Sequence, residues 1–334
     1  MDGRRLGARD VVLATGSRPR LIPGVELGER VITSDEALRR SAPPSAVIIG
    51  AGAIGLEFAS LWRSFGSEVT VLEMLPALAP LEDADVSKEI ARAFRRRGIT
   101  GVPGATVRAV KDTGSSVDVT YEAEGTTTTV SAQVCLVAVG RGPVTEDLGL
   151  EAAGVELERG FVKVDGQLQT TAPHVWAVGD VASTPLQLAH VAFAEGYAVA
   201  ERIAGLDVPP LDYTLIPRVT YSSPEIASVG LTEQQARERG HDVEVEILNL
   251  QGIGKANILA EGGICKVVAE RGGPVLGVHM VGPHVTDLIA EPMLAVAWEA
   301  APAEVAALFH PHPSLSEAFG EAVLALAGKP LHGV

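Results

Sequence analysis

The chain has 334 residues and a formal net charge of −15, and 46% of its residues are hydrophobic. This length is enough for roughly two or three domains with substantial cores. The acidic balance disfavours nucleic acid and anionic membrane surfaces as partners. No apolar run approaches the ~20 residues that a membrane-spanning helix needs. Length, composition and charge are therefore typical of a soluble globular protein.

The first pattern along the chain is DVVLATGS at residues 10–17. Its apolar stretch does not alternate with polar residues, which predicts a strand buried on both faces and closed by a turn. Such a strand needs neighbours in a sheet, and the plausible partner in the sequence is VWAVG at residues 175–179. We therefore expect the other strands of this sheet to come from residues upstream of Met1.

Residues 46–73 carry the most informative pattern, AVIIGAGAIGLEFASLWRSFGSEVTVLE. An apolar strand leads into three glycines spaced as G-x-G-x-x-G, and a helix, a second strand and an acid follow. This order predicts a dinucleotide-binding site rather than a turn that merely connects two elements. The glycines are Gly50, Gly52 and Gly55, the helix is predicted over residues 53–65, the second strand over 69–72, and the acid is Glu73.

Each part of this pattern has a physical role in binding a dinucleotide. The first glycine allows the tight turn, the second lets a pyrophosphate approach the backbone, and the third lets the helix pack closely on the strand. The N-terminus of the helix offers unpaired N–H groups and a positive dipole end to the phosphates. Glu73 is placed to accept a hydrogen bond from the adenosine ribose and would repel a 2′-phosphate, which favours NAD over NADP.

Further strands and helices are predicted downstream of this site. Three β-rich runs, at residues 105–110, 117–123 and 126–132, predict a small antiparallel hairpin set. An apolar strand at residues 134–139 ends at Gly140. After a proline-marked linker at residues 209–210, strands are predicted at 218–221, 244–249, 265–269 and 275–281, and helices at 232–239, 285–300, 302–308 and 314–327.

The two cysteines, Cys135 and Cys265, lie far apart in apolar, strand-like runs. Free buried cysteines are typical of a reducing compartment, which favours a cytoplasmic location. We interpret both as inert core residues.

Two strand ends, ATGS at residues 14–17 and VWAVGD at 175–180, have a similar form. Each ends in small residues that would let a cofactor approach the backbone. Asp180 is a candidate ligand of a ribityl hydroxyl, and residues 187–190 open a helix predicted over 189–204, whose N-terminus would favour a reduced, anionic flavin. The alternative interpretation is a strand end, a capping aspartate and a surface histidine.

Residues 310–317 read HPHPSLSE. One interpretation is a capping box, with Ser314 as N-cap and Glu317 as the return arm. The other is a catalytic pair in which His312 is a general acid/base and Glu317 bonds the other ring nitrogen. The two interpretations are compatible, and Pro311 and Pro313 would stiffen the segment in either case.

Together these patterns resemble the pyridine nucleotide–disulfide oxidoreductases over essentially the whole chain. The HPHPSLSE segment and the tail LALAGKPLH resemble most the dihydrolipoamide dehydrogenase branch of that family. The motifs that carry the resemblance are ATGSRPRLIPG, IIGAGAIGLEFAS, VTVLE, VAVGRGP, TTAPHVWAVGD, LQLAHVAFAEG, IPRVTYSSPEIASVGLTE and HPHPSLSEAF.

The resemblance implies an α/β fold with two Rossmann-like nucleotide-binding domains and a C-terminal α+β dimerisation domain. The FAD domain would be incomplete and the NAD domain complete. It also implies FAD and NAD as cofactors, a homodimer, and a lipoyl-bearing carrier protein of a 2-oxoacid dehydrogenase complex as partner. The implied ranges are 1–40 for the FAD-domain remnant, 41–142 for the NAD domain, 143–212 for the rest of the FAD domain and 213–334 for the interface domain.

The resemblance also implies a role for each candidate site residue. His312 and Glu317 would be catalytic, with His312 serving the active site of the partner subunit, and Glu57 would lie near the nicotinamide. The residues implied to contact FAD are Thr15, Gly16, Ser17, Asp180, Gln187, Leu188, Ala189 and His190. The residues implied to contact NAD are Gly50, Ala51, Gly52, Ala53, Ile54, Gly55, Glu57, Glu73 and Gly140.

One departure from the family pattern concerns the redox centre. Family members begin with their own G-x-G-x-x-G for FAD and a C-x-x-x-x-C pair, and this sequence contains neither. We therefore expect a C-terminal portion of a dihydrolipoamide dehydrogenase-like protein that is inactive by itself. The alternatives are a non-catalytic module that binds NAD and dimerises, or another disulfide or flavin reductase of the superfamily, against which the HPHPSLSE form argues.

Overall fold

The computed structural model describes residues 6–331, which form two compact units. Unit 1 contains the described residues up to Arg20 together with Gly140–Tyr213, and unit 2 contains Leu21–Val139 and the described residues from Thr214 onward. His332 of the tail motif and the outer ends of the predicted ranges 1–40 and 213–334 lie outside the described residues. No helix within residues 6–331 is long and apolar enough to cross a membrane.

The described residues form the following strands and helices. The strands are β1 Val11–Leu13, β2 Ser17–Pro19, β3 Val31–Ile32, β4 Ser45–Ile49, β5 Glu68–Leu72, β6 Ile99–Val102, β7 Thr106–Asp112, β8 Val117–Ala123, β9 Thr126–Ala132, β10 Val134–Val137, β11 Arg141–Pro143, β12 Leu157–Glu158, β13 Phe161–Val162, β14 Val175–Ala177, β15 Arg218–Thr220, β16 Glu225–Gly230, β17 Val243–Asn249, β18 Ile264–Glu270 and β19 Val275–Gly282. The helices are α1 Ser34–Ala37, α2 Ala53–Ser64, α3 Ala84–Arg96, α4 Ala189–Ile203, α5 Glu233–Glu238, α6 Gly254–Leu259, α7 Val285–Leu288, α8 Ala290–Ala297, α9 Pro302–Val305 and α10 Glu317–Leu326.

Unit 2 contains a five-stranded parallel sheet in the order β3-β10-β4-β5-β6. Uninterrupted apolar sequences suit these strands because both faces of the sheet are covered. Helices α2 and α3 bury Leu56, Trp62 and Phe94 in the core on one face. The antiparallel sheet β7-β8-β9 contributes Val117 and Val119 to the core on the other, and this confirms the predicted hairpin set.

A second five-stranded sheet of unit 2 is antiparallel, in the order β15-β16-β19-β18-β17. Helix α10 packs against it and buries Phe319 and Val323 beside Val267 and Met280. The sequence patterns predict four of these strands and miss β16. They also miss α3, although its buried Val86, Ile90 and Phe94 follow a helical period.

The single helix predicted over residues 285–300 is wrong, because the structure forms two helices, α7 and α8. Ile289 separates them, and Pro292 lies in the first turn of α8. A proline inside a continuous helix would leave the carbonyl of Leu288 without its N–H partner, whereas in a first turn the missing N–H is not needed.

Unit 1 contains three two-stranded sheets, β1-β14, β2-β11 and β12-β13. The predicted pairing of the first strand with the VWAVG segment is confirmed, because β1 runs parallel to β14 with Val11 opposite Val175. With this single partner the first strand is only partly covered, since Val11 is 47% exposed and Val12 is 43% exposed. Strand β14 covers only one edge of β1.

The predicted division into four ranges stays a prediction, and two residue placements bear on it. Strand β3 lies at the edge of the parallel sheet of unit 2, although it falls in the range 1–40 that we assign to the FAD domain. Gly140 belongs to unit 1, although it falls in the predicted NAD-binding range 41–142.

Candidate functional site

The glycine turn after β4 has the geometry that a dinucleotide site requires. Gly50 has a φ of 108°, and a Cβ atom there would lie 2.3 Å from the carbonyl oxygen of Ala138. A Cβ atom on Gly55 would lie 1.9 Å from the oxygen of Gly50, so the helix can approach the turn this closely only with glycine. A Cβ atom on Gly52 would meet nothing within 4 Å. The open space lies at the glycine where a pyrophosphate would approach.

Helix α2 starts at this turn without a capping side chain. Its N-cap is Gly52, and no side chain among the described residues caps the helix. The N–H groups of a first helical turn have no partner within the helix, so those at Ala53 and Ile54 are suited to bind phosphate oxygens.

Glu73 follows β5 and is almost fully buried beside the glycine turn. One carboxylate oxygen accepts a hydrogen bond from the N–H of Ala51 at 2.7 Å, and the other accepts one from the N–H of Leu75 at 2.8 Å. A carboxylate oxygen has two lone pairs, so Glu73 can brace the turn and still accept a ribose hydroxyl. The bracing role is not apparent from the motif alone.

Glu57 lies on α2, one turn after the glycines, and is partly buried. It accepts a hydrogen bond from the backbone N–H of Tyr221 at 2.9 Å. Burial raises the pKa of this carboxyl above its ordinary value, because the charged form loses hydration. A partly buried acid in this position fits the predicted contact with a nicotinamide ring, which stays a prediction.

In unit 1, the two similar strand ends meet. The hydroxyl of Ser17 donates a hydrogen bond to Asp180 at 2.5 Å, and the backbone turns at Gly16 with a φ of 71°. The hydroxyl of Thr15 donates to the carbonyl of Val144 at 2.6 Å. The parallel pairing of β1 with β14 brings their C-terminal ends to one edge and thereby joins residues that are distant in sequence.

Arg141 adds a positive charge beside Ser17, and the sequence motifs did not predict this residue as part of the site. Its Nε donates a hydrogen bond to the hydroxyl of Ser17 at 2.7 Å, and its terminal nitrogen donates to the carbonyl of Ser17 at 2.8 Å. In the sequence, this residue belongs to the VAVGRGP motif. In the structure, β11 pairs with β2 and places Gly142 opposite Arg18, which brings Arg141 close to Ser17.

Helix α4 begins beside the same residues. Gln187 donates a hydrogen bond to the carbonyl of Asp180 at 3.3 Å, and Leu188 is an N-cap with no capping side chain. Ala189 and His190 form the exposed first residues of the helix. The structure therefore brings two of the predicted FAD residues, Ser17 and Gln187, into contact with Asp180.

A buried carboxylate, Glu195, holds the backbone next to Asp180. Glu195 on α4 is 0% exposed and accepts hydrogen bonds from the N–H of Gly179 at 2.5 Å and from the hydroxyl of Tyr213 at 2.8 Å. Burial, together with the hydrogen bond to Glu195, raises the pKa of the Tyr213 hydroxyl. Sequence reasoning missed this pair, whose members come together only in the fold.

Gly140 has a φ of 103°, and its carbonyl accepts a hydrogen bond from the N–H of Arg20 at 2.9 Å. The positive φ favours glycine at this position. Its predicted contact with NAD stays a prediction.

The predicted histidine–glutamate pair is formed in unit 2. Nδ1 of His312 lies 2.8 Å from Oε1 of Glu317, and Oε2 of the same carboxylate accepts the N–H of Ser314 at 2.8 Å. We assign the Nδ1–H tautomer to His312, because a carboxylate accepts a hydrogen bond. The imidazole is 70% exposed, so its Nε2 lone pair is available to take a proton from a substrate.

The capping interpretation of the same segment is correct only in part. Glu317 acts as the return arm, but Ser314 is not the N-cap, because α10 begins at Glu317 after Ser316. The hydroxyl of Ser314 bonds the hydroxyl of Ser316 at 2.8 Å instead of the helix backbone. The carboxylate of Glu317 therefore holds both the backbone of Ser314 and the imidazole of His312.

Both cysteines are fully buried, as predicted. Burial raises the pKa of the Cys135 thiol to about 12 and that of Cys265 further. Thiolates are the reactive form, so neither residue is suited to disulfide exchange.

A cleft of about 1330 Å³ in unit 2 contains none of the predicted site residues. It is lined by side chains that include Leu78, Ile99 and Lys266.

Comparisons with known proteins identify the family. The model described as pyridine nucleotide-disulphide oxidoreductase matches residues 1–196, and the model of the dimerisation domain of that family matches residues 216–323. The dihydrolipoyl dehydrogenase of Bacillus subtilis (strain 168) is 47% identical over 330 residues, which are 97% of this chain and 69% of the relative. The dihydrolipoyl dehydrogenase of Mycobacterium bovis is 42% identical over 324 residues, which are 96% of this chain and 70% of the relative.

Solved structures agree with this assignment. LpdA from Mycobacterium tuberculosis superimposes with a TM-score of 0.87 at 30% identity and covers 95% of this chain and 69% of its own. The Cu(II) complex of the HOCl-induced flavoprotein disulfide reductase RclA from Escherichia coli has a TM-score of 0.88 at 28% identity, covering 95% of this chain and 72% of its own.

The predicted α/β fold class and the predicted cofactors, FAD and NAD, are confirmed by these similarities. The chain spans about 70% of the length of the curated relatives that it matches. It carries a dimerisation domain of the family in its C-terminal part. The chain belongs to the pyridine nucleotide–disulphide oxidoreductase family, and within that family to the dihydrolipoyl dehydrogenases.

Proposed function

We propose that the chain serves the oxidation of a dihydrolipoyl group by NAD⁺, which yields a lipoyl disulfide, NADH and one proton. The chemistry that bound FAD supplies is two-electron transfer between a dithiol and the nicotinamide. The residues of this chain bind both cofactors and manage the thiol proton. The observation that carries the proposal is the 2.8 Å contact between His312 and Glu317, in a chain that also has a dinucleotide turn.

His312 is the general acid/base of this proposal. Its exposed Nε2 takes the proton of a substrate thiol, and the resulting imidazolium is stabilised by the carboxylate of Glu317 on Nδ1. The thiolate formed in this way is the nucleophile that disulfide exchange requires. Glu317 also accepts the N–H of Ser314, so it fixes the loop and the ring with a single carboxylate.

NAD binds at the glycine turn of unit 2 in this proposal. Gly52, where the structure leaves open space, would admit the pyrophosphate, and the N–H groups of Ala53 and Ile54 would bind its oxygens. Glu73 accepts the adenosine ribose hydroxyl, and its charge disfavours a 2′-phosphate.

FAD binds in unit 1 against the Asp180 region. Asp180 and Ser17 are held together with Arg141, and they are the residues we assign to the ribityl chain. Gln187 and the uncapped N-terminus of α4 are the groups we assign to the pyrimidine edge of the flavin.

A homodimer, a lipoyl-bearing carrier protein and a cytoplasmic location complete the proposal. Several large apolar side chains are exposed within the segment that matches the dimerisation model, including Trp298 at 75%, Leu308 at 62% and Phe309 at 100%. Exposed apolar patches are typical of protein interfaces. Sedimentation of the chain and of a Trp298→Glu variant tests the dimer, since the proposal expects a dimer for the first and a monomer for the second.

The activity is tested with a fusion in which a family segment carrying C-x-x-x-x-C and the FAD fingerprint precedes residue 1. The fusion should bind FAD and reduce NAD⁺ with dihydrolipoamide. His312→Gln should abolish most of this turnover without changing NADH binding, because general acid/base residues contribute typically 10²–10⁴-fold. A matched control is His241→Gln, which breaks the 2.6 Å pair of His241 with Glu270 elsewhere in unit 2. Full activity of the His312→Gln fusion would refute the proposed role.

A second candidate function is a module that binds NAD and dimerises but has no turnover. The buried state of Cys135 and Cys265 favours it for a polypeptide of these 334 residues. NADH binding by the chain without dihydrolipoamide oxidation supports this second function, whereas oxidation by the unfused chain contradicts it.

A further inference from the structure

A second histidine–glutamate pair lies two residues before the pair of the proposed function. Nε2 of His310 is 2.8 Å from Oε1 of Glu291, which lies in the first turn of α8. The side chain of His310 is only 13% exposed, whereas that of His312 is 70% exposed. The two imidazoles of the HPHP segment are therefore in different environments.

The ring of His310 occupies a space that α10 leaves open. Gly320 lies one turn after Glu317 on that helix, and a Cβ atom on Gly320 would lie 2.5 Å from Nδ1 of His310. Such a distance is too short for two non-bonded atoms, so the ring can lie here only against glycine. His310 is thereby fixed to two helices, α8 by a hydrogen bond and α10 by packing.

The backbone around His312 has few other restraints. Within the described part of the chain, residues 309–313 take part in no backbone–backbone hydrogen bond, and two of them are prolines, which lack an N–H. The segment regains a backbone restraint at Ser314, whose N–H donates to Glu317. His310 is consequently the side chain that fixes the segment on the N-terminal side of His312.

We propose that His310, held by Glu291 and Gly320, is a positioning residue that keeps His312 in hydrogen-bonding reach of Glu317. The inference rests on the acid/base role proposed above for His312. His310 does not exchange a proton with the substrate in this scheme. It sets the orientation of the His312 ring, and through it the tautomer that leaves Nε2 free to accept a proton.

The test measures the tautomer of His312 in the 334-residue chain by ¹⁵N NMR of the imidazole nitrogens. The spectra are recorded above pH ~8, where an unperturbed histidine is neutral. The unsubstituted chain should show Nδ1–H as the major form of His312. In His310→Phe, which removes the bond to Glu291, and in Gly320→Ala, which displaces the ring, Nδ1–H should become the minor form.

Two control variants separate positioning from general destabilisation. His241→Gln removes another histidine–glutamate pair of unit 2, and Gly196→Ala adds a methyl group to a helical glycine that has no neighbour within 4 Å. Both controls should keep Nδ1–H as the major form. If His310→Phe does not fold, Glu291→Ala carries the test, because it removes the acceptor of His310 and that side chain is 38% exposed.

The outcomes distinguish this inference from the proposed function. If His312 keeps its Nδ1–H tautomer in His310→Phe, Gly320→Ala and Glu291→Ala, positioning by His310 is refuted while the acid/base pair stands. If the control variants also lose the tautomer, the effect is general and positioning is again refuted. If the unsubstituted chain lacks the tautomer, the His312–Glu317 pair itself is refuted, and the positioning role is refuted with it.

Discussion

Strands β1 and β4 have similar apolar sequences and very different surroundings. Strand β4 lies between β10 and β5, and its residues 46–49 are at most 5% exposed. Strand β1 pairs only with β14, and Val11 and Val12 are 47% and 43% exposed. An apolar run thus predicts a strand that needs cover on both faces, but the tertiary structure decides how much cover the strand receives.

The same difference separates the two proposed nucleotide sites. The turn after β4 rests on a complete parallel sheet with helices α2 and α3 on one face. The strand end after β1 rests on a two-stranded sheet in unit 1. We therefore expect the NAD site of this polypeptide to be preformed and the FAD site to be weak.

The largest expected effect is the absence of turnover. A polypeptide of residues 1–334 should show no dihydrolipoamide dehydrogenase activity and should bind FAD weakly or not at all, because disulfide exchange needs a thiolate and a leaving sulfur in one site. Its buried cysteines, Cys135 and Cys265, supply neither. The exposed β1 should also lower solubility. The check is expression with added FAD, followed by an assay of NAD⁺ reduction. Turnover from a yellow, stoichiometric flavoprotein would contradict the expected difference between the two sites.

Buried and exposed ion pairs should also differ in their effect on stability, and Lys266, which is buried in unit 2, provides the buried case. Its ammonium lies within 2.8 Å of carboxylates of Asp83, Asp85 and Glu233. Lys266→Met should lower the free energy of unfolding by about 3–5 kcal/mol, because it removes the ion-pair partner of the buried Asp83. Lys163→Met, which breaks an exposed pair with Glu156, should have a much smaller effect, because solvent screens exposed ion pairs. Denaturant unfolding measures both, and equal effects would contradict the argument.

The pH dependence of this cluster follows from the same contacts. The hydrogen bond from Lys266 lowers the pKa of Glu233 below its ordinary value. A lowered folded-state pKa gives stability that is present above the unfolded pKa of about 4.3 and is lost as the pH falls through the folded value. Unfolding curves of the unsubstituted chain should therefore lose more stability below pH ~4 than those of Lys266→Met.

The comparison of β1 with β4 is tested directly by shortening one side chain on each strand. Ile48 on β4 is 0% exposed, so Ile48→Ala should lower the free energy of unfolding by about 2–5 kcal/mol. Val12→Ala on β1 should change it by about 0.5 kcal/mol or less, because the side chain is already in contact with solvent. A similar loss for both variants, measured by denaturant unfolding, would show that β1 is covered in solution.

The smallest expected effect is on NADH binding at the proposed NAD site. Glu73→Ala should weaken NADH binding by about 1–2 kcal/mol, the scale of a charge-assisted hydrogen bond. Glu68→Ala, at the exposed start of β5, is the matched control and should leave binding unchanged. Titration of the unsubstituted chain with NADH and NADPH completes the test. Tighter binding of NADPH would contradict the role of Glu73.

Local sequence patterns were sufficient for the features that depend on neighbouring residues. The glycine turn follows from the spacing of Gly50, Gly52 and Gly55, because positive φ and close backbone approach exclude side chains. The His312–Glu317 contact follows from a separation of a few residues at the start of a helix. Patterns failed where local rules compete, as at Pro292, which lies in the first turn of α8 and does not interrupt a longer helix.

Only the tertiary structure decided which distant residues meet. Ser17 meets Asp180 and Arg141 because parallel and antiparallel strand pairing joins separate parts of unit 1 at one edge. The Lys266 cluster and the seat of His310 against Gly320 likewise depend on packing between elements. Sequence by itself therefore determined the chemistry of each motif, whose geometry is set by short-range backbone rules. The fold determined burial and second partners, because these depend on contacts that no local pattern encodes.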